Sequence, residues 1–124
     1  MEALKVAIAD DNENMLKVLG QVIGQEQDLS VVGTATNGED TFHIIKDVVL
    51  LDIIMPQIDG LTVMEKVHKD KEIRKTPAFI IISAIGRDSV TEDAFNMGAS
   101  YYIMKPFDND MLINRIRYIR NVHA

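Results

Sequence analysis

The chain contains no cysteine. This absence excludes a disulfide framework, a thiolate nucleophile and a metal site built on cysteine, and it fits a reducing compartment such as the cytosol. Basic residues are also in the minority: the chain has 13 Lys and Arg and 19 Asp and Glu, which gives a net charge of −6. Binding to nucleic acid normally requires clustered Lys and Arg, so we expect no direct nucleic-acid binding.

Long apolar stretches are absent as well. No apolar run in the sequence approaches the ~20 residues of a membrane-spanning helix. The first residues, Met-Glu-Ala-Leu-Lys, lack the basic and apolar regions of a signal peptide. We therefore expect no membrane association and a cytoplasmic location. The length of 124 residues, 47% of them hydrophobic, predicts one compact domain over residues 1–124.

Short apolar runs alternate with amphipathic stretches along the chain. The runs predict strands, and the stretches, with apolar residues at helical spacing, predict helices. Strands buried on both faces and each followed by a helix imply a parallel sheet covered on both sides, here a flavodoxin-like doubly wound five-stranded α/β fold of order 2-1-3-4-5. The predicted strands lie at 4–9, 31–32, 48–51, 79–82 and 101–104, and the predicted helices at 15–23, 42–45, 61–67, 90–97 and 112–119. The apolar face of the fourth helix is predicted to carry Val90, Ala94, Phe95 and Met97, and Gly98 is expected to end that helix.

Polar residues follow the carboxyl ends of four predicted strands. The first strand ends at Asp10 and Asp11, and the third ends at Asp52. The fourth ends at Ser83 and the fifth at Lys105. These four strands are neighbours in the predicted order, and ligands of such sheets bind beyond the carboxyl ends of the strands. We therefore expect the five side chains to meet in one crevice.

This set of residues suits the transfer of a phosphoryl group. Three carboxylates in one crevice raise each other's pKa unless a cation is present, and Mg²⁺ prefers such hard oxygen ligands. A carboxylate can also act as a nucleophile and form an aspartyl phosphate. The charge on the transferring oxygens then needs positioned donors and cations, which Ser83 and Lys105 can supply.

Each residue also has an ordinary structural explanation. An Asp-Asp pair after a strand is more often a turn or a helix cap than a metal site. Asp52 could be a buried, hydrogen-bonded acid, although a charge at the end of an apolar run is costly to bury. Ser83 alone carries little information, and Lys105 before a proline is commonly a solvated side chain. The functional interpretation depends on all four strand ends supplying the right residue type together.

The sequence resembles the receiver domain of two-component response regulators from end to end. The resemblance implies the flavodoxin-like fold, a phosphohistidine donor on a histidine kinase or histidine phosphotransferase, and a role in signalling. Such a domain promotes its own phosphorylation and a slow dephosphorylation, but it turns over no external substrate and is not classed as an enzyme. The matching segments are 6–12, 51–56, 59–60, 83–84 and 98–108.

The resemblance also implies a role for each site residue. Asp10 and Asp11, with Asp52 and the backbone carbonyl of Ile54, correspond to the ligands of Mg²⁺. Asp52 corresponds to the phosphorylated aspartate. The remaining correspondences are Ser83 to the switch hydroxyl, Lys105 to the active-site lysine, Tyr102 to the rotating aromatic residue, and the Lys105–Pro106 bond to a cis peptide.

Two segments are most similar to the sporulation branch of this family, the stage-zero regulators of endospore-forming bacteria. They are 52–56 with 59–61, and 98–108. In that branch a linker and a DNA-binding effector domain follow the receiver, so the resemblance implies that this chain is the receiver half of a longer transcription regulator. It also implies a homodimer formed on phosphorylation. Ile54 and Ile85 stand where a polar side chain orients the hydrolytic water in other receivers, which predicts slow self-dephosphorylation.

Four other classes of protein fit the sequence less well. Haloacid-dehalogenase-like phosphohydrolases carry a second acid two residues after the nucleophile, whereas this chain has Ile54 there. The phosphate-binding motif of P-loop proteins is absent. A flavodoxin needs a phosphate-binding loop after the first strand, where Asp10 and Asp11 would repel phosphate. A pseudo-receiver that only binds a partner would lack part of the site, and no part is lacking.

The connection between the predicted second helix and third strand is unusually short. Loops from helix to strand typically take about 2–6 residues, but residues 44–46 run almost directly into Asp47 and Val48. The resemblance implies about four more residues at this point. We therefore expect a loop to be absent from the chain as numbered between Lys46 and Asp47, the alternative being a shortened second helix.

Overall fold

The computed structural model describes residues 3–55, 58–73 and 76–123, with side chains in the last helix up to Ile119. Five parallel strands form one sheet of order 2-1-3-4-5, and helices connect them, which confirms the predicted flavodoxin-like fold. Along the chain the elements are β1 (Leu4–Ala9), α1 (Glu13–Gly24), β2 (Leu29–Ala35), α2 (Gly38–Thr41), β3 (Val48–Leu51), α3 (Gly60–Lys69), β4 (Ala78–Ser83), α4 (Asp88–Asn96), β5 (Ala99–Met104) and α5 (Asn109–His123).

The central strands β3 and β4 are buried at every position, as expected for a parallel sheet covered on both faces. Alternate residues of β3 face opposite layers. Val48 and Leu50 pack with α1 and α5, whereas Val49 and Leu51 pack with α3 and α4. The hydrophobic core is therefore divided by the sheet into two layers, and the carboxyl edge of the sheet lies between them.

Side-chain caps define where three helices begin. Asn12 accepts hydrogen bonds from the first turn of α1, Asn37 from α2 and Asp59 from α3. The residue before α4, Arg87, makes no such bond. At the end of that helix the chain turns through Gly98, whose φ of +103° strains any residue with a side chain. Gly98 therefore ends α4, as the sequence predicts.

Two sequence-based expectations were wrong in detail. The second helix was expected around residues 42–45, but α2 covers Gly38–Thr41 because Asn37 caps it and sets its start. Phe95 was expected on the packed face of the fourth helix, yet it is 47% exposed and only Ala94 of α4 is buried. α4 covers the sheet with a small residue, so the neighbouring aromatic ring points outwards.

The short connection before β3 is accommodated by the helix. No residue stands between Lys46 and Asp47 in the chain, so the expected omission of a loop was wrong. The alternative holds, since α2 has four residues and leads through a turn into the strand. Asp47 also joins two strands there: its carboxylate accepts a hydrogen bond from the N–H of Lys5 at 2.9 Å, and its carbonyl accepts one from Ala78 at 3.0 Å.

Among the described residues, no helix is both long enough and apolar enough to cross a membrane.

Candidate functional site

The carboxyl ends of β1, β3, β4 and β5 bring the predicted site residues together. The strands run parallel and in register, with Ala9 opposite Leu51 and Ser83 opposite Met104. The residues that follow β1 and β3 therefore lie side by side at one edge of the sheet. Carboxylate oxygens of the three predicted acids, Asp10, Asp11 and Asp52, all lie within 4.8 Å of one another.

Two of these three acids are held firmly by the main chain. Asp10 is 2% exposed and Asp52 is 7% exposed. The N–H of Asp52 donates to the carbonyl of Ala9 at 2.9 Å, which continues the pairing of β3 with β1. Asp52 Oδ1 accepts a hydrogen bond from the N–H of Ile54 at 3.1 Å, and Asp10 Oδ1 accepts one from Asn12 at 2.9 Å. The third acid, Asp11, is exposed at the mouth of the crevice.

Lys105 reaches into the acidic cluster from the end of β5. Its ammonium lies 2.7 Å from Asp10 Oδ2 and 3.2 Å from Asp52 Oδ2. One cation thus bridges the two buried acids, in agreement with the sequence-based expectation that the fifth strand supplies a positive charge. The Lys105–Pro106 peptide bond is cis, as the family resemblance implied.

The electrostatics of the cluster favour a cation. Burial raises the pKa of Asp52 above its ordinary value, and the charge of Asp10 raises it further, while Lys105 and the Ile54 N–H oppose the change. Burial lowers the pKa of Lys105, but its hydrogen bond to Asp10 and the two carboxylate charges outweigh burial and raise that pKa. Lys105 therefore stays charged, yet it offsets only one of three acids.

The donor set fits a hard divalent cation such as Mg²⁺. Three carboxylates supply the oxygen ligands that Mg²⁺ prefers, and the excess negative charge favours its binding. Asp10 and Asp52 each contact Lys105 through one carboxylate oxygen. The carboxylate of Asp11 is exposed to solvent. The part assigned to the carbonyl of Ile54 stays a prediction, because the structure shows only the N–H contact of that residue with Asp52.

The predicted switch residues meet on one short loop after β4. Ser83 is fully buried, and its Oγ accepts a hydrogen bond from the N–H of Ile85 at 3.1 Å. The hydroxyl of Tyr102 donates to the carbonyl of the same Ile85. Both side chains are therefore bonded to one residue of the β4–α4 loop, although they come from different strands.

Sequence reasoning missed two contributions of the main chain to this site. It considered only the side chain of Ile85, whereas the peptide groups of this residue receive Ser83 and Tyr102. It also assigned no role to Gly60, which packs against the carbonyl of Asp52. The sequence offered two signals for Gly60: the segment 59–60 is one of those that carry the family resemblance, and Gly60 directly precedes the predicted helix at 61–67. Pro56, part of a segment that carries the resemblance, lies outside the described residues.

Comparison with solved structures agrees with this architecture. The chain is similar to a CheY-like receiver domain protein from Methanospirillum hungatei, at 22% identity and a TM-score of 0.85, with 97% of this chain and 96% of that chain covered. It is also similar to a chain of the CheX–CheY–BeF3–Mg²⁺ complex from Borrelia burgdorferi, at 29% identity and a TM-score of 0.82, with 96% and 90% covered. A third similar structure is a LuxR-family DNA-binding response regulator from Staphylococcus aureus, at 26% identity and a TM-score of 0.85, with 94% and 98% covered.

The model of the response regulator receiver domain family matches residues 6–117, which include every predicted site residue. Domains of this family are signalling modules of two-component systems that bind Mg²⁺ in an acidic pocket, and the match indicates no enzyme family. With the strand order, the acidic cluster and the family model in agreement, this chain belongs to the response regulator receiver domain family.

Proposed function

We propose that residues 1–124 form a receiver domain that accepts a phosphoryl group on Asp52 from a phosphohistidine of a histidine kinase or histidine phosphotransferase. The observation that carries the proposal is the acidic cluster with its bridging lysine. Carboxylate oxygens of Asp10, Asp11 and Asp52 lie within 4.8 Å of one another, and Lys105 contacts two of these acids. A buried cluster of this kind costs free energy to maintain, which favours a functional role.

In the transfer step, a carboxylate oxygen of Asp52 attacks the phosphorus atom. A P–O bond forms, the P–N bond to the donor imidazole breaks, and the imidazole nitrogen keeps the electron pair. The carboxylate of Asp52 is a nucleophile of the kind that forms an aspartyl phosphate. Mg²⁺ bound by Asp10, Asp11, Asp52 and the carbonyl of Ile54 would neutralise charge on the acids and on the phosphoryl oxygens.

Lys105 would stabilise the product in the same crevice. Its ammonium lies 3.2 Å from the Asp52 oxygen and is held in place by Asp10 at 2.7 Å. An ammonium group held beside the nucleophile can contact the oxygens of the transferred phosphoryl group with little rearrangement. This is the usual electrostatic contribution to phosphoryl transfer.

The response to phosphorylation would pass through Ser83 and Tyr102. We infer that the Ser83 hydroxyl turns from the N–H of Ile85 towards the phosphoryl group, and that Tyr102 occupies the space it leaves. Since both side chains are bonded to Ile85, a change at one alters the bonding of the other. The β4–α4 loop would then be the two-state element that phosphorylation biases.

We further propose that the receiver controls a DNA-binding effector domain in a longer, cytoplasmic protein, with sporulation-type transcriptional control and a homodimer formed on phosphorylation. A DNA-binding response regulator of the LuxR family is among the similar structures. The matched family model covers receiver domains in general, so the sporulation assignment depends on two sequence segments alone, 52–56 with 59–61, and 98–108.

Incubation of the purified protein with acetyl phosphate and Mg²⁺, followed by intact mass measurement, tests the phosphoacceptor role. Wild-type protein should gain one phosphoryl group, and Asp52→Asn should gain none while it keeps its circular dichroism spectrum. A matched control is Asp70→Asn, because Asp70 is exposed at the end of α3 and should not affect the reaction. Phosphorylation of Asp52→Asn at the wild-type rate would refute the assignment, and turnover of acetyl phosphate without a phosphorylated protein would indicate a hydrolase.

A further inference from the structure

The first residue of α3, Gly60, lies directly against the main chain of Asp52. Gly60 is buried, and its N–H donates a hydrogen bond to the carbonyl of Ile53 at 2.8 Å. A Cβ atom added to Gly60 would stand 2.5 Å from the carbonyl oxygen of Asp52 and 2.9 Å from Cα of Ile53. Cβ atoms essentially never approach other heavy atoms below 3.0 Å. Only a residue without a side chain fits at this position.

The requirement at Gly60 is one of space and not of backbone conformation. Among the described glycines it is Gly98 that has a positive φ, so Gly60 adopts a conformation open to other residues. The atoms that would collide with the added Cβ belong to the main chain of Asp52 and Ile53. A peptide group cannot rotate aside as a flexible side chain can. A larger residue must therefore displace either the start of α3 or the peptide that carries Asp52.

The carboxylate of Asp52 depends on the position of that peptide. Asp52 is anchored on one side by its N–H bond to Ala9, and its Oδ1 accepts the N–H of Ile54, two residues further along the same segment. Its Oδ2 faces Lys105 at 3.2 Å. A shift of the peptide between Asp52 and Ile53 would change the direction of the side chain and loosen these contacts together.

We propose that Gly60 is a positioning residue for the phosphorylation of Asp52. It acts through the main chain of Asp52 and Ile53, and its missing side chain is what allows α3 to close against this peptide and fix the direction of the carboxylate. The proposal rests on the phosphoacceptor function proposed above. It assigns Gly60 an effect on rate in addition to its contribution to stability.

Two other glycines provide matched comparisons. A Cβ on Gly33, in the edge strand β2, would stand 2.8 Å from Cγ2 and 2.9 Å from Cβ of Ile44, so Gly33→Ala also introduces a collision, but in a strand that does not neighbour β3. A Cβ on Gly20, within α1, has nothing within 4 Å. Gly20→Ala should stabilise its helix, because glycine is a poor helix former. Both test substitutions are therefore introduced into the Gly20→Ala protein, which is the background for the comparison.

The experiment measures the rate of phosphorylation by acetyl phosphate at saturating Mg²⁺, per folded molecule, with the folded fraction taken from circular dichroism. We expect Gly60→Ala to lower the rate about 100-fold, the effect of misplacing a reacting group by about 1 Å. Gly33→Ala should lose stability but keep the rate of the background protein. Equal rates in Gly60→Ala and the background, or an equal loss in Gly33→Ala, would overturn the proposal. So would a Gly60→Ala protein that is unfolded while Gly33→Ala is folded, because the role would then be structural.

A second measurement separates this inference from the proposed function. If wild-type protein takes up no phosphoryl group, the phosphoacceptor assignment fails, and Mg²⁺ binding followed by NMR of the Ile54 amide then decides the positioning role. We expect Mg²⁺ to bind more weakly to Gly60→Ala than to Gly33→Ala. Equal Mg²⁺ affinities of these two variants would contradict a role of Gly60 in orienting the carboxylate.

Discussion

At the scale of single residues, the crevice places three carboxylates next to one ammonium. Lys105 forms ion pairs with Asp10 and Asp52, and burial together with the charge of Asp10 still raises the pKa of Asp52. The ionised form of Asp52 is therefore disfavoured in the folded protein when no metal is bound. We expect a site with this excess of negative charge to gain stability when it binds a divalent cation.

The raised pKa of Asp52 predicts that Asp52→Asn changes the stability of the metal-free protein in a pH-dependent way. The folded protein holds the proton of Asp52 more tightly than the unfolded chain, whose aspartates have a pKa of about 3.9. By linkage, the free energy of unfolding falls as pH rises from that value through the raised folded pKa. We expect Asp52→Asn to be more stable than wild type in urea unfolding at neutral pH with a chelator, and this gain to shrink as pH is lowered towards the unfolded value.

Added Mg²⁺ should make wild type more stable than Asp52→Asn. Mg²⁺ stabilises the folded state that binds it, and its binding needs the carboxylate of Asp52. The exposed Asp70→Asn substitution should change neither measurement. A metal-free Asp52→Asn protein that is less stable than wild type at neutral pH would contradict this expectation.

The lifetime of the phosphorylated state is a second property decided by single residues. Ile54 is 53% exposed at the rim of the crevice, and Ile85 is half-buried on the loop after β4. Neither side chain can orient a water molecule towards the phosphoryl group. Ile54→Asn should therefore speed the loss of the phosphoryl group roughly 10-fold, less than the ~10² of a well-placed general base.

The decay of the phosphorylated protein, followed by intact mass after removal of acetyl phosphate, measures this rate. Ile54→Val keeps the position apolar and should decay like wild type. Rapid decay of the wild-type protein, or no acceleration in Ile54→Asn, would argue against the role of Ile54.

At the scale of elements, the helices differ in whether a side chain caps the N–H groups of their first turn. The side chain of Asn12 accepts hydrogen bonds from Asn14 at 2.9 Å and Met15 at 3.2 Å at the start of α1. α4 starts after Arg87 without a side-chain cap and buries only Ala94. Among the helices whose caps are described, α4 thus has the fewest local constraints at its start, as suits the element that we propose responds to Ser83 and Tyr102.

This difference predicts opposite effects of two cap substitutions. Asn12→Ala should lower the free energy of unfolding by about 1 kcal/mol, since it removes a cap to two N–H groups. Arg87→Ser should raise it by up to about 1 kcal/mol, because serine can accept a bond from the first turn of α4. Chemical denaturation of both variants measures these changes, and a destabilising effect of Arg87→Ser would show that the arginine has a role other than capping.

At the scale of the whole molecule, the sheet and its two apolar layers hold the strand ends in place. Phe79 in β4 is 0% exposed within the layer under α3 and α4, whereas Phe95 is 47% exposed on the outer side of α4. Long-range polar contacts add to this framework. Arg117 of α5 donates to Asp28 at 2.9 Å across 89 residues of sequence, and to Glu26. The last helix is thereby joined to the segment that enters β2.

The two phenylalanines provide a test of where the stability lies. Phe79→Ala should lower the free energy of unfolding by about 3–5 kcal/mol, the usual cost of an aromatic cavity in a core. That is a large part of the roughly 5–15 kcal/mol available to a domain. Phe95→Ala should change it by less than about 0.5 kcal/mol. Denaturation curves compare the two variants, and similar losses would mean that the exposed ring of Phe95 packs against more than the described structure shows.

The sequence alone predicted the fold and which strand-end side chains meet at one edge of the sheet. Buried strands produce continuous apolar runs, and the helical spacing of apolar residues in the stretches between them predicts the helices. Five such strand–helix pairs in one domain indicate the doubly wound order 2-1-3-4-5, which the structure confirms. The same patterns place Asp10, Asp52, Ser83 and Lys105 at strand ends. Because parallel strands end at one edge of the sheet, their convergence could be predicted without any coordinates.

Only the tertiary structure decided which atoms touch. The bridge from Lys105 to Asp10 joins residues 95 positions apart, and the fit of Gly60 against the Asp52 carbonyl depends on how α3 closes on the sheet. The shortness of α2 and the exposure of Phe95 were decided by a cap and by packing on one face of a helix. Sequence periodicity records which side of an element is apolar. The exact distances between atoms depend on how all the elements pack together, and a local sequence pattern carries no information about that packing.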